Sequence, residues 1–396
     1  MCREQPASLY IHIPFCPQKC AYCDFNSYAG LESLQQSYIH ALSLEMALYQ
    51  TRYPKLVLET LYLGGGTPTV LPPELLTRTL QACRQRFQIS AQAEISVEAN
   101  PGTVDESKLL ALRRAGVNRL SLGVQSFDDR LLRLLGRIHS AKVAARAFHL
   151  AREAGYDNIN LDLMYGLPEQ SLADWQATLA QALELSPEHL SLYALTLHEE
   201  TPLARMIASG ALPAIDDDLA ADMYDYARNL LASNGYEHYE ISNWAKRPAN
   251  TDKSFRCRHN LTYWLDEPYI GIGAGAHSYR AQKRYWNESL PQEYIRRLQA
   301  GDLPIAGGED IGQCTEISEF MILGLRLIEG IMDERFARKF GREMRQLYAK
   351  EIGYLKAQGL LLVESDRIRL SARGHLLGNE IFERFLLQSE GGEYVG

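Results

Sequence analysis

The sequence predicts an α/β protein whose first 235 residues form a partial barrel of six βα units. Three observations lead there. Short β-branched apolar segments alternate with longer segments of helical period. Glycine closes two of those helices just ahead of a strand, at Ala115-Gly116 and Ala154-Gly155. Polar or glycine-rich residues also gather at five consecutive strand ends, where a barrel of this kind keeps its chemistry.

Strands are expected at Leu9–Ile13, Thr60–Gly64, Glu94–Ala99, Arg119–Val124, Asn160–Met164 and His189–Leu195. Between them the helical period runs over Glu74–Phe87, Asp105–Ala115, Ala141–Ala154 and Ala173–Leu185, each opening on acidic or small polar residues that can cap it. From 236 to 310 the rhythm gives way to an irregular aromatic, glycine-rich connecting segment, a linker or a lid. Helices resume over 311–396. There the helix Glu343–Gln358, the apolar LLLV, a polar turn at Ser365-Asp366 and a second strand form a winged-helix-like unit.

Hydrophobic residues make up 46% and charged residues 23% of the 396, near globular averages, which argues against a disordered, fibrous or membrane-embedded chain. Forty-one basic side chains against 49 acidic ones leave a net charge of −8, so nucleic acid is not an expected partner. The basic run Arg335, Arg338, Lys339, Arg342 and Arg345 is diluted by Asp333, Glu334 and Glu343 and reads as a solvated helix face. No export signal or bilayer-spanning stretch is evident, which makes the cytoplasm the expected location.

Seven cysteines, an odd number with three crowded together, do not make a disulfide framework. Cys16, Cys20 and Cys23 stand in CPQKCAYC, a CxxxCxxC pattern directly after the first strand. Zinc would need a fourth ligand, and with no second CxxC and no HxxxH that ligand would be His12 or another distant residue. Three thiolates at this spacing suit three corners of a 4Fe-4S cubane with its fourth iron open to a ligand. Asp162 inside an apolar strand needs partners. Glu98 and Gln125 end neighbouring strands and could converge with it on one ligand.

On these residues, the loop resembles the CxxxCxxC signature of the radical SAM superfamily. LYLGGGTPT is similar to that family's segment for the methionyl end of S-adenosylmethionine (SAM), where glycines let backbone donors approach a carboxylate. LYIHIPFC, GGGTPT, VEANP, LSLGVQSF and NLDLMYGLP together are similar to the oxygen-independent coproporphyrinogen III dehydrogenases and their haem-chaperone relatives. The resemblance implies a 4Fe-4S cluster on Cys16, Cys20 and Cys23 with its fourth iron bound to SAM. It further implies SAM contacts from Tyr10, Tyr22, Gly65, Gly66, Thr67, Glu98, Gln125, Arg137 and Asp162.

Three features favour the chaperone branch. Dehydrogenases continue the motif to CxxxCxxCxC, whereas Phe25 occupies the last position here. They also carry an N-terminal arm that helps to enclose the porphyrinogen, whereas eight residues precede Leu9, leaving a radical poorly shielded. HNLTYW, His259 to Trp264, resembles the HNxxYW motif of the chaperones. It implies haem with His259 as an axial ligand, Asn260 orienting it, and Tyr263 and Trp264 covering the macrocycle. Cys257 and His277 rank below His259 as ligands.

The expected function is therefore a haem chaperone that passes haem to acceptor haemoproteins. An electron donor, a second copy of the chain and a transient contact at the inner membrane face are further partners the family leaves open. The alternatives are radical decarboxylation of coproporphyrinogen III, and a SAM-cluster sensor whose winged unit contacts a partner.

Overall fold

The computed structural model describes residues 7–247 and 253–387, with the backbone of 389–390 and 393–394. Six parallel strands lie side by side in chain order: β1 (Ala7–Ile13), β2 (Val57–Gly65), β3 (Gln88–Ala99), β4 (Arg119–Gln125), β5 (Ile159–Tyr165) and β6 (His189–Ala194). Helices Gln35–Arg52, Pro73–Arg86, Glu106–Arg114, Ala141–Glu153 and Leu172–Leu185 link them. Asp105, Ser140 and Ser171 cap three of these, Ser171 in a reciprocal capping box with Asp174. Gly116 (φ +94°) and Gly155 (φ +86°) take the left-handed turn that returns the chain to the sheet.

Alternation along the strands decides where each side chain goes. Leu9, Ile11 and Ile13 on β1, Leu120, Leu122 and Val124 on β4, and Ile159, Leu161 and Leu163 on β5 are wholly buried in one apolar cluster with the helices. The residues between them are polar. Tyr10, Tyr62, Glu98, Ser121, Asp162 and Ser191, one from each strand, line a single interior cavity. The sheet therefore curls into an open barrel with a polar lumen, unlike a closed barrel whose interior is packed with branched side chains.

The described part of 236–310, outside 248–252, is more ordered than its sequence pattern suggests. β7 (Tyr236–Glu240) and β8 (Asn243–Lys246) form an antiparallel pair that joins the sheet through β8, which runs antiparallel to β6. At the other edge β9 (Tyr269–Ile272) runs parallel to β1, and β10 (His277–Arg280), β11 (Lys283–Asn287) and β12 (Ile305–Asp310) follow antiparallel. Strands of four to six residues are too short for period 2 to register. Ile270, Ile272 and Tyr294 join the main apolar cluster, so this stretch packs as part of the barrel.

A second apolar cluster, from Ile317 to Phe385, holds the C-terminal unit together. Its three-stranded sheet joins β13 (Ile331–Met332) and β14 (Leu361–Val363) on either side of β15 (Arg367–Leu370). The helix expected over Glu343–Gln358 breaks into Met344–Leu347 and Ala349–Ala357 at Tyr348, a buried residue whose hydroxyl donates to the Phe385 carbonyl at 3.0 Å. Within the basic run, Arg335 donates to the Leu265 carbonyl, Lys339 pairs with Asp266, and Arg345 pairs with Asp333 at 2.7 Å. No helix among the described residues is long and apolar enough to cross a membrane.

Candidate functional site

Just past β1 the chain folds back, with Cys16 N donating to the Tyr28 carbonyl (2.9 Å) and Tyr28 N to the Pro14 carbonyl (2.7 Å). From the loop after β2, Gly66 N and Thr67 N donate to the carbonyls of Ile13 (2.9 Å) and Phe15 (2.8 Å). The partly exposed thiols of Cys16, Cys20 and Cys23 project from this double turn. Position 66 has no room for a side chain. A Cβ there would stand 2.7 Å from the Phe15 carbonyl oxygen and 3.0 Å from Cys16 Sγ. Thr67 Oγ1 lies 3.6 Å from Cys16 Sγ, while Arg137 donates to Cys20 Sγ (3.4 Å) and to the Gly123 carbonyl (2.6 Å).

Burial raises the Cys16 and Cys23 thiols above their ordinary range, so their ionisation calls for a strong neighbouring positive charge of the kind a bound metal supplies. Among the described residues no three His, Cys, Asp or Glu side chains meet closely enough for a single metal ion. His12, the residue named as a candidate fourth ligand for zinc, is buried with Nδ1 on the Tyr10 hydroxyl (3.0 Å) and Nε2 on the Asn26 carbonyl (2.8 Å). Both of its nitrogens are committed. Ligands of a cubane sit at the corners of a cluster rather than around one atom, and the loop suits that arrangement better than a zinc tetrahedron.

Next to the loop lies a cavity of about 400 Å³. Its walls bring together the three cysteines and Tyr22, Gly65, Gly66, Thr67, Glu98, Gln125, Arg137 and Asp162. Tyr10 does not reach it, and instead lines the lumen beneath. Gln125 adopts φ +66°, a conformation uncommon outside glycine and frequent where function fixes a side chain. Gly65 needs its φ of +113°, and a Cβ there would meet the His12 ring at 2.5 Å.

Two buried carboxylates face the cavity, with the more exposed Asp24 at its mouth. Glu98 accepts from the Tyr62 hydroxyl (2.8 Å) and Gly65 N (3.1 Å), and burial followed by the charge of Asp162 pushes it up to about 7. Asp162 accepts from Ser121 Oγ (3.0 Å) and Asn160 Nδ2 (2.8 Å), and burial raises it too. Carboxylates and a guanidinium on a wall that glycines leave open complement a ligand that carries ammonium, carboxylate and hydroxyl groups. Tyr62, Ser121 and Asn160 were missed by motif reading. Ser121 and Asn160 had a positional signal, two residues from the lumen residues Arg119 and Asp162 on their strands, whereas Tyr62 had none on β2.

HNLTYW forms most of the helix Arg258–Trp264, whose N-terminus is capped by the buried Glu94, which accepts from Arg258 N and His259 N at 3.0 Å each. His259 is 2% exposed, with Nδ1 2.7 Å from Thr60 Oγ1 and Nε2 3.0 Å from the Tyr263 hydroxyl. Its ring stacks on Tyr62 at 5.0 Å between centroids. Burial, then the Arg119 charge, lowers it to about 3, so it is neutral. The lumen cavity beside it, which Asn260 also lines, measures about 230 Å³, less than the ~300 Å³ at which ordinary cofactor pockets begin. As the segment stands, axial ligation by His259 does not fit: no nitrogen is free and no room exists for a macrocycle. Trp264 packs under the Arg326 guanidinium (4.4 Å). Tyr263 alone also reaches an open groove beside the cysteine loop.

A partial barrel with three thiols after β1 and a glycine-lined carboxylate cavity beside them defines a radical SAM protein. Residues 10–182 match the model of the Radical SAM superfamily, and residues 314–377 that of the HemN C-terminal domain. The fold superposes on the coproporphyrinogen III oxidase HemN from Escherichia coli, described as a radical SAM enzyme, with a TM-score of 0.84 and 26% identity over 97% of this chain and 90% of that one. The particular family is set by relatives of nearly equal length. The chain is 38% identical to the heme chaperone HemW of Bacillus subtilis over 96% of this chain and 99% of that protein. It is 36% identical to heme chaperone HemW of Escherichia coli over 98% and 100%. The chain belongs to the HemW family, and membership in the radical SAM superfamily implies a 4Fe-4S cluster and SAM.

Proposed function

We propose that this protein binds haem and hands it to acceptor haemoproteins, carrying a 4Fe-4S cluster on Cys16, Cys20 and Cys23 with SAM beside it. What carries the reading is the near-full-length likeness to proteins named heme chaperones. Phe25 supports it: it stands where the dehydrogenases have a further cysteine, and at 64% exposed it lies open at the lip of the cavity rather than closing it.

SAM, when bound, would complete the coordination of the fourth iron. Glu98 and Asp162 would accept from its ammonium and ribose hydroxyls, and the side-chain-free wall at Gly65 and Gly66 would let it lie close to the backbone. Arg137, tied to both Cys20 and Gly123, would hold β4 against the cluster loop. An electron donor, a membrane-surface contact and self-association belong to the same reading as partners.

The test is anaerobic reconstitution followed by two parallel titrations. Haem uptake and its transfer to an apo-haemoprotein are expected, without turnover of coproporphyrinogen III in the presence of SAM and reductant. Catalytic formation of protoporphyrinogen would replace the chaperone with the decarboxylase, whose closest structural argument is the HemN-like fold.

A further inference from the structure

The groove that Tyr263 reaches contrasts with the His259 pocket. It holds about 390 Å³, opens beside the cluster loop, and is walled by Phe25, Tyr263, Tyr269 and His277. It shares Gly65, Glu98 and Phe25 with the SAM cavity. His277, on β10, is exposed. Its ring lies 5.7 Å from that of Trp286, and neither ring nitrogen is hydrogen-bonded to another described residue.

The rim is held firmly. Asn26 Nδ2 donates to the carbonyls of Ala274 (3.0 Å) and Ser289 (3.1 Å), and a Cβ at Gly275 would stand 2.4 Å from the same nitrogen. The cluster loop and the turn ahead of β10 are therefore pinned together. Lys19 donates to the Phe25 carbonyl at 3.2 Å, leaving a cation at the lip.

We propose that the cargo haem docks in this groove, with His277 as an axial ligand and Phe25, Tyr263 and Tyr269 against the macrocycle. The placement rests on the haem-chaperone reading above. An imidazole with a free nitrogen is a haem-iron ligand, flat aromatic faces suit a porphyrin, and a lysine at the edge suits a propionate. His259 acts here as a positioning residue. Bonded to Thr60 on one side and Tyr263 on the other, it fixes the tyrosine at the groove wall, which accounts for a histidine in HNLTYW without iron ligation.

Ferric haem is titrated into the full-length, cluster-reconstituted protein with the cluster oxidised and EPR-silent, so that the haem alone gives the signal. His277→Ala is expected to weaken binding by at least about tenfold, since loss of a mere supporting group already costs that much. It also removes the axial-imidazole signature. His277→Met, which keeps a ligand of similar size, restores binding with altered g-values, a change no structural role would produce. His259→Ala keeps the wild-type signature. Wild-type affinity and spectrum in both His277 variants, or loss of the signature in His259→Ala alone, would overturn the placement. Absence of haem uptake by the wild type brings down the chaperone reading itself, and the placement with it.

Discussion

Glu45 offers a quantitative check on how the frame around the site is held. It lies on the helix Gln35–Arg52 with no exposed surface, and its carboxylate accepts from Tyr294 Oη (2.5 Å), Asn287 Nδ2 (2.7 Å) and Gly273 N (2.9 Å). Burial outweighs the three donors and moves it from 4.5 up to about 7. A carboxyl raised in this way contributes stability that is full below its unfolded value and lost as pH rises through the folded one. The loss amounts to about 3 kcal/mol at about 1.4 kcal/mol per pKa unit.

Glu45→Gln removes the ionisation and adds a pH-independent cost of about 1–3 kcal/mol, because an amide nitrogen must face one of the three donors. Urea unfolding of cluster-free, reduced protein from about pH 5 to about pH 8 should therefore show the variant gaining about 2–3 kcal/mol on the wild type. The difference between the two profiles isolates Glu45. Glu98, also raised, loses stability over the same window in both proteins. His12, His238, His259 and His375, lowered by burial to about 3 or 4, act with the opposite sign in both. Parallel profiles, or a variant that loses ground as pH rises, would refute the claim that desolvation defeats three hydrogen bonds.

Gly66→Ala drives a Cβ to 2.7 Å from the Phe15 carbonyl oxygen, and overpacking of that kind costs about 1–3 kcal/mol, so the loop should retreat and the cluster load poorly. Iron and sulfide per chain at the wild-type level would show that the loop absorbs the methyl. Arg137→Met removes the guanidinium from Cys20 and Gly123, and SAM affinity measured by equilibrium dialysis should fall by about tenfold or more, the worth of a charged hydrogen bond. Unchanged affinity would remove Arg137 from the site. Asp162→Asn sets one amide against the donor of Asn160, and SAM affinity should drop similarly while cluster content stays constant. A fall in cluster content instead would make Asp162 a support of the fold.

The barrel and the cavity beside the cysteines were legible because both depend on local patterns. Seven-residue strands such as β1, β4 and β5 display their alternation in sequence, and the same alternation sorts Leu161 outward and Asp162 inward. HNLTYW was legible as a motif and opaque as a site. Residue types alone suggested a ligand, yet whether an imidazole nitrogen is free depends on its neighbours, and the one that occupies Nδ1 of His259 is Thr60, 199 positions earlier on β2. For the same reason His277 looked minor. Its exposure follows from where β10 falls, between β9 and β11 in a run of short strands whose order no periodicity announces.

Phe25 connects the two halves of the site. The loop that carries the three thiols also delivers Phe25 to the walls of both cavities and Asn26 to the turn ahead of β10. Whatever orders that loop therefore orders one wall of the groove. A cysteine at 25 would place a thiol at the mouth of the cavity beside the cysteines, whereas phenylalanine places an apolar ring on the wall that this cavity shares with the groove. Substitution at this single position thus changes the contact surface on the groove side while leaving Cys16, Cys20 and Cys23 in place, so one barrel can present different groove walls beside the same three thiols.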